Sequence, residues 1–325
     1  MRAPILFLIF NRPAQTERVF AEIARAQPSK LLIVADGPRS DRRGEVERCE
    51  AVRRIVERVN WDCEILRNYS DVNLGCGRRV ASGLEWTFSL VEEAIVLEDD
   101  TLPSPSFFPF CEQLLDKYRD DTRVMHISGN NYLSTASRRE HSYYFSRYDH
   151  IWGWATWRRA YRHYDFEMAL WPALREKRWL QAYLGNGIEA QWWQDSFNRA
   201  STGTRSIYDS WDTQWLYSIW TQNGLSITPS VNLVTNIGWD ANATHTSATD
   251  NPLSVLPLGE IQFPLRHPPQ MVPDYDSDLA AFEATCMRRP SRGRVQNWLR
   301  HRLPSPVRLS LQGIVPGRSR RSEQG

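Results

Sequence analysis

Lysine is nearly missing from this chain. It occurs only at positions 30, 117 and 177, so 37 of the 40 basic residues are arginine; the bias is read as genome composition rather than as a functional signal. Cysteine is sparse as well. The five cysteines, at 49, 63, 76, 111 and 286, are odd in number and include no CxxC pair, which excludes a disulfide framework and a Cys-type zinc site and suits a reducing cytoplasm. No long apolar run is present: Pro4–Phe10 (PILFLIF) is far below the roughly 20 residues that span a bilayer. It lacks a small-residue cleavage site, so neither a membrane anchor nor a secretory signal is expected. There is no Walker loop and no GxGxxG, which argues against an ATPase or a Rossmann dehydrogenase. Seven histidines give no HExxH or HxH spacing, and no GxSxG occurs, so a zinc hydrolase and a serine hydrolase are unsupported.

What is present is globular. The 325 residues are 41% hydrophobic and 24% charged, which excludes a disordered, collagenous or coiled-coil chain and is enough to bury a sizeable core. The net charge of +2 hides a division. From Arg288 onward ten arginines face one acid, whereas the preceding residues carry 30 basic and 37 acidic side chains.

Strand and helix patterns alternate over the first 130 residues. Apolar runs at Ile5–Phe10, Leu31–Ala35, Cys63–Leu66, Ala94–Leu97 and Val124–Ser128 have strand length, and helical spacing separates them. Such runs imply a mostly parallel α/β sheet buried on both faces. Ligands of these sheets lie beyond the carboxyl ends of the strands. Asn11-Arg12, Asp36, Glu98-Asp99-Asp100 and Gly129-Asn130 should therefore gather in one crevice. From about Tyr143 the texture changes: ten of the fourteen tryptophans fall between Trp152 and Trp220, and helices are expected over 173–183, 188–199 and 211–222. The organisation reads as 1–130, 131–250 within the same domain, and a Pro-rich then basic extension over 251–325.

Each polar cluster has a plain and a chemical reading. Glu98-Asp99-Asp100 directly follows the buried run AIVL. Three adjacent carboxylates repel, so solvent, arginine or a hard divalent cation must offset them. Asp36 before Gly37 is either a turn residue or an acceptor for a ribose or base. Arg78 and Arg79 open a helix after NLGCG, and an arginine-flanked helix N-terminus suits phosphate as well as solvent. The tryptophans of IWGWATW (151–157) and WW (192–193) are core filler or platforms for sugar rings; two or three are expected at substrate. Asp212 in WDTQW is a helix cap or a general base. His245 reads as a metal ligand, a phosphate contact or a loop histidine.

In order, these motifs resemble the GT-A fold of nucleotide-sugar glycosyltransferases. A strand leads into FNRP, a strand ends in Asp, an NxG turn brings Arg into a helix, and a strand runs into EDD, which looks like the DxD-type metal motif. The later order is similar to that of N-acetylglucosaminyltransferase I and of bacterial family 2-like enzymes, with WDTQW (211–215) and PSVNLVTNIGWDANATHT (229–246) in the corresponding places. The resemblance covers roughly residues 4–246. It implies a Rossmann-like nucleotide-sugar half over 1–130 and an acceptor-binding, catalytic half over 131–250. Asn11, Arg12, Asp36, Arg78, Arg79, Glu98 and Asp99 would contact a nucleotide sugar, with uracil the implied base. Asp100 and His245 would hold Mn2+ or Mg2+, and Asp212 would be the base. WDTQW has one more residue between its tryptophans than the animal motif, which makes Asp195 the reserve base.

The function implied is metal-dependent, inverting transfer of a hexosyl or N-acetylhexosaminyl group from a nucleoside diphosphate, UDP by resemblance, to a hydroxyl of a glycan or lipid-linked acceptor, as in polysaccharide biosynthesis. A sugar-nucleotide nucleotidyltransferase would carry a Gly-rich loop with Arg after its first strand, and FNRP is not one. A non-catalytic carbohydrate-binding protein explains the tryptophans but leaves the strand-end carboxylates unused. The arginine-rich tail, with Trp298, Leu299 and Leu303, fits peripheral contact with an anionic membrane or a solvated extension. The acidic body argues against nucleic acid.

Overall fold

Ile5, Leu6 and Phe7 are all fully buried, so the first strand has no solvent face; the computed structural model explains this by placing it inside a wide sheet. Residues 1–133, 140–185, 187–202, 210–239 and 256–287 are described. In chain order the elements are β1 (Ile5–Ile9), α1 (Pro13–Ala26), β2 (Lys30–Ala35), α2 (Glu45–Val56), β3 (Glu64–Tyr69), α3 (Cys76–Leu90), β4 (Glu93–Glu98), β5 (Thr101–Pro103), α4 (Phe107–Lys117) and β6 (Val124–Ser128). Then follow β7 (Tyr143–Ser146), β8 (Trp154–Trp157), α5 (Arg158–Tyr161), α6 (Trp171–Glu176), α7 (Trp179–Leu184), α8 (Gly187–Ser201), α9 (Asp212–Thr221), β9 (Leu225–Pro229), β10 (Val234–Asn236) and α10 (Tyr275–Thr285).

The main sheet has eight strands in the order β3-β2-β1-β4-β8-β6-β9-β7. Parallel pairs join β3, β2, β1 and β4, and also β6 and β9. β8 runs antiparallel between β4 and β6, and β7 closes the edge antiparallel to β9. The fold is thus α/β with a mostly parallel sheet flanked by helices. The chain winds outward from β1 to β2 and β3, then returns to place β4 on the other side of β1. Strand order reverses between β1 and β4, where a crevice opens at the carboxyl ends. A two-stranded ribbon of β5 and β10 lies next in sequence to the end of β4, with Asn236 opposite Thr101.

Local physics sets the helices. α1 starts with Pro at its first turn and buries Thr16, Val19, Phe20 and Ile23 along one stripe. It stops where Gln27 turns left-handed (φ 47°) and donates its N–H to the Ile23 carbonyl. Burying each large apolar side chain of this kind stabilises the fold by about 1.5–3 kcal/mol. In α2 the buried stripe is Cys49, Val52 and Val56, whereas Val46 is 51% exposed.

In the tryptophan-rich stretch α8 and α9 stand where helices are expected over 188–199 and 211–222, and the differences lie elsewhere. Tyr143–Ser146 and Trp154–Trp157 are fully buried strands, and the helix expected over 173–183 is two short ones, interrupted at Arg178 with φ 54°. Trp154, Trp157, Trp171, Trp215 and Trp220 are under 2% exposed and Trp193 and Trp211 are buried as well, so seven of the ten tryptophans between Trp152 and Trp220 form core. Met1–Ala281 makes one compact unit; a second begins at Phe282 and is described over residues 282–287.

Candidate active site

At the β1/β4 switch point a cavity of about 470 Å³ opens. Its lining draws on Arg12 after β1, Asp36 and Arg39 after β2, Gly75, Cys76 and Arg79 at the start of α3, Glu98, Asp99 and Asp100 at the end of β4, and Asp212 at the start of α9. Tyr132, Trp152 and Trp211 add an aromatic part.

The acidic trio is held by three different attachments. Asp99, 7% exposed, accepts the Phe10 backbone N–H at 2.9 Å. Asp100 forms an ion pair with Arg12, and its carbonyl accepts the Ile237 N–H at 2.8 Å. The turn is closed by Thr101, whose hydroxyl accepts from the Glu98 N–H at 2.9 Å and donates to the Glu98 carbonyl at 3.0 Å. Burial raises the Glu98 carboxyl well above its ordinary value, and the charges of Asp100, Asp99 and Asp212 add to it, with Arg12 opposing. Burial and Asp100 push Asp99 up to about 7, against Arg12 and the Phe10 amide. Burial and mutual repulsion thus disfavour ionisation of Glu98 and Asp99 at this strand end, with Arg12 as the opposing charge.

Asp36 is 6% exposed. Its Oδ1 accepts the N–H of Gly37 and of Leu74 at 2.9 Å, and its Oδ2 accepts Asn73 Nδ2 at 3.0 Å and the Gly75 N–H at 3.2 Å. Burial raises its pKa and these amides partly offset the rise. The carboxylate therefore holds the turn that delivers α3, whose preceding Gly75 sits at φ 81°, a conformation that favours glycine.

The two arginines of α3 separate by face, since consecutive helical residues diverge by about 100°. Arg78 is exposed and is not in the cavity lining. Arg79 lines the cavity but is 6% exposed and spends its donors on Ala35 O at 3.1 Å, Asn68 Oδ1 at 2.9 Å and the Asn68 carbonyl. It ties the ends of β2 and β3 to α3. Asn11 also lies outside the lining; its Nδ2 donates to Glu45 Oε1 at 2.8 Å. Glu45 in turn receives the backbone and guanidinium of Arg39.

Asp212 is the first residue of α9 and accepts a hydrogen bond from Ser210 Oγ. Trp211 before it stacks on Trp154, with centroids 5.4 Å apart and planes at 21°. Asp195, on α8, accepts Gln191 Nε2 at 3.0 Å and does not line the cavity. His245 lies outside the described residues, as does the basic tail from Arg288. Gly129 and Asn130 are likewise absent from the lining; Asn130 Oδ1 instead accepts the Trp152 N–H at 3.0 Å.

Sequence reasoning missed Asp149, in the loop between β7 and β8. Its Oδ2 is buried with no hydrogen-bond partner. Burial and then the charge of Asp212 push its pKa well up. A lone Asp in YDH gives no signal of this.

Among the described residues no three His, Cys, Asp or Glu side chains form a ready metal cage. The donors present are hard carboxylate oxygens beside a cavity. Such a set fits Mg2+ or Mn2+ held by one or two carboxylates with the remaining oxygens from a bound phosphate. No described helix is long and apolar enough to cross a membrane.

No family model matches the chain, and no curated protein matches it. Among solved structures, mouse xyloside xylosyltransferase 1 in its apo form gives a TM-score of 0.35 at 8% identity over 73% of this chain and 87% of that one. A UDP-glucose pyrophosphorylase complexed with UDP-glucose gives 0.26 at 15% identity, over 45% of this chain and 62% of its own length. The 4-diphosphocytidyl-2C-methyl-D-erythritol synthase of Anaerococcus prevotii gives 0.28 at 12% identity, over 57% and 78%. At such scores these likenesses assign no activity.

Proposed function

We propose that the chain is an inverting glycosyltransferase that moves a sugar from a nucleoside diphosphate, UDP by the resemblance of its sequence, to a hydroxyl of a glycan or lipid-linked acceptor. One observation carries the reading: the strand-end trio Glu98-Asp99-Asp100 and the separate carboxylate Asp212 line the same cavity, beside the start of α3.

The residues then divide the work. The N-terminal end of α3 and Arg12 meet the phosphates, because helix N–H groups and a guanidinium favour anions. Glu98 and Asp99 face the donor's ribose and sugar. Asp100, with Glu98 beside it, is the group that would hold a divalent cation, and His245 is its proposed companion. That cation would stabilise charge growing on the departing diphosphate. Asp212 takes the proton of the acceptor hydroxyl, whose oxygen attacks the anomeric carbon as the bond to the diphosphate breaks. One base and one displacement predict inversion. Tyr132 and Trp152, both half-buried in the lining, offer apolar faces to a sugar ring.

The test is a product screen of UDP-, GDP- and dTDP-sugars, with Asp212→Asn as the control. The variant should keep UDP binding in a thermal-shift assay with Mn2+ and lose transfer by on the order of 10²–10⁴. Full turnover by the variant would remove Asp212 as base, and no product with any donor would remove the reading.

A further inference from the structure

Arg12 and Asp100 come from elements far apart in sequence and meet with side chains that are each only 15% exposed. Their backbones are fixed independently. The Arg12 carbonyl is held by the Thr16 N–H at 2.9 Å and the Thr16 hydroxyl at 2.8 Å, and the Asp100 carbonyl by Ile237. Gly238 covers the pair so closely that a Cβ there would stand 2.2 Å from Asp100 Oδ2 and 2.5 Å from Arg12 Nη1. Opening the ion pair is thus a matter of the two side chains and not of the main chains that carry them.

Arg12 lowers the negative charge at Asp100 and so makes it a weaker ligand for a free cation. A diphosphate offers the guanidinium a better partner, because paired phosphate oxygens match its fork. Resting on the glycosyltransferase reading above, we propose that Arg12 is an exchangeable counter-ion: it neutralises Asp100 without nucleotide and transfers to the diphosphate when a donor binds, releasing Asp100 for the cation. Nucleotide and cation then bind cooperatively, and the coupling is reciprocal. A cation would not occupy Asp100 ahead of the substrate.

The experiment measures Mn2+ binding by electron paramagnetic resonance on the full chain, with and without saturating UDP, for wild type, Arg12→Gln and Arg12→Lys. Wild type should bind Mn2+ about tenfold or more tightly when UDP is present. Arg12→Gln should bind Mn2+ alone about tenfold more tightly than wild type does, and UDP should add little. Arg12→Lys, which keeps the charge, should stay near wild type without UDP. Adding Asp100→Asn to Arg12→Gln should abolish the gain. A purely structural Arg12 would weaken both ligands together and could not tighten either. If UDP-loaded wild type binds Mn2+ while Arg12→Gln shows no gain, the exchange is overturned and the functional reading stands. If UDP-loaded wild type takes up no Mn2+, the metal-dependent reading falls and the exchange falls with it.

Discussion

The indole of Trp215 donates to Nδ1 of His126 at 3.1 Å, and so pins the first turn of the helix that begins at Asp212 to the sheet beneath it. His126 is itself fixed: its Nε2 lies 3.2 Å from the His150 carbonyl and its ring stacks on Trp154 at 5.1 Å. Trp154 carries Trp211 on its ring system. Asp212 thus rests on a column that passes from β6 through β8 to α9.

That column makes acid sensitivity a prediction. Burial depresses the His126 pKa from 6.5 to about 3, because protonation would place a charge in the core and, on Nδ1, cancel the bond to Trp215. The unfolded chain takes up the proton first, so stability is full above 6.5 and falls as pH drops from 6.5 towards 3. His150, pushed down to about 4 by burial, acts in the same direction. Urea midpoints between pH 7 and 4 should fall, and His126→Gln should flatten that fall although it is less stable at pH 7. An unchanged slope would remove His126 as a cause.

Asp149 predicts the opposite sign. Its raised pKa means that the unfolded chain loses the proton first, so stability falls as pH rises above 3.8. Asp149→Asn should flatten this decline, giving a smaller loss of urea midpoint between pH 5 and 8 than wild type shows. A decline of the same size would show that the buried oxygen is paid for elsewhere.

Gly238→Ala should disturb the site more than the fold. The added methyl would meet Asp100 and Arg12 at contact distances no structure tolerates, and displacement of reacting groups by about 1 Å can cost on the order of 10² in rate. UDP affinity with Mn2+ and turnover should both drop, while the melting temperature changes little. Wild-type activity in this variant would show that the pair can shift without consequence.

Asp36→Asn should weaken the turn over Asn73–Gly75. The Gly75 N–H reaches only Oδ2, the oxygen that becomes an amide nitrogen while Oδ1 keeps Gly37 and Leu74. Leaving such an amide without its acceptor costs about 1–3 kcal/mol, and the Gly75 amide should exchange faster with solvent. Altered nucleotide preference with unchanged Gly75 exchange would instead assign Asp36 to the base rather than to the loop.

Much of the sheet was legible because β1, β2 and β4 are continuous apolar runs ended by polar residues. The crevice followed from those ends. β8 was not legible: WATW reads equally as helix or strand, and its place between β4 and β6 is set by pairing partners many residues away. Asp212 was visible through its flanking tryptophans, whereas Asp149 and the partner of Arg12 were not, because burial and long-range pairing leave no local pattern. Arg78 and Arg79 were both visible, but only the register of α3 shows which of them faces the cavity.

The reversed strand has a consequence for how the cavity is walled. Because β8 runs against its neighbours, Trp154 at its start sits beside Val96 near the end of β4 and beside Ser128 at the end of β6. The chain therefore has to pass over the crevice before it enters the sheet, and Ile151 and Trp152 become part of the lining. Had β8 run parallel, the same residues would have emerged at the far rim and the carboxylates would have opened onto bulk water on that side.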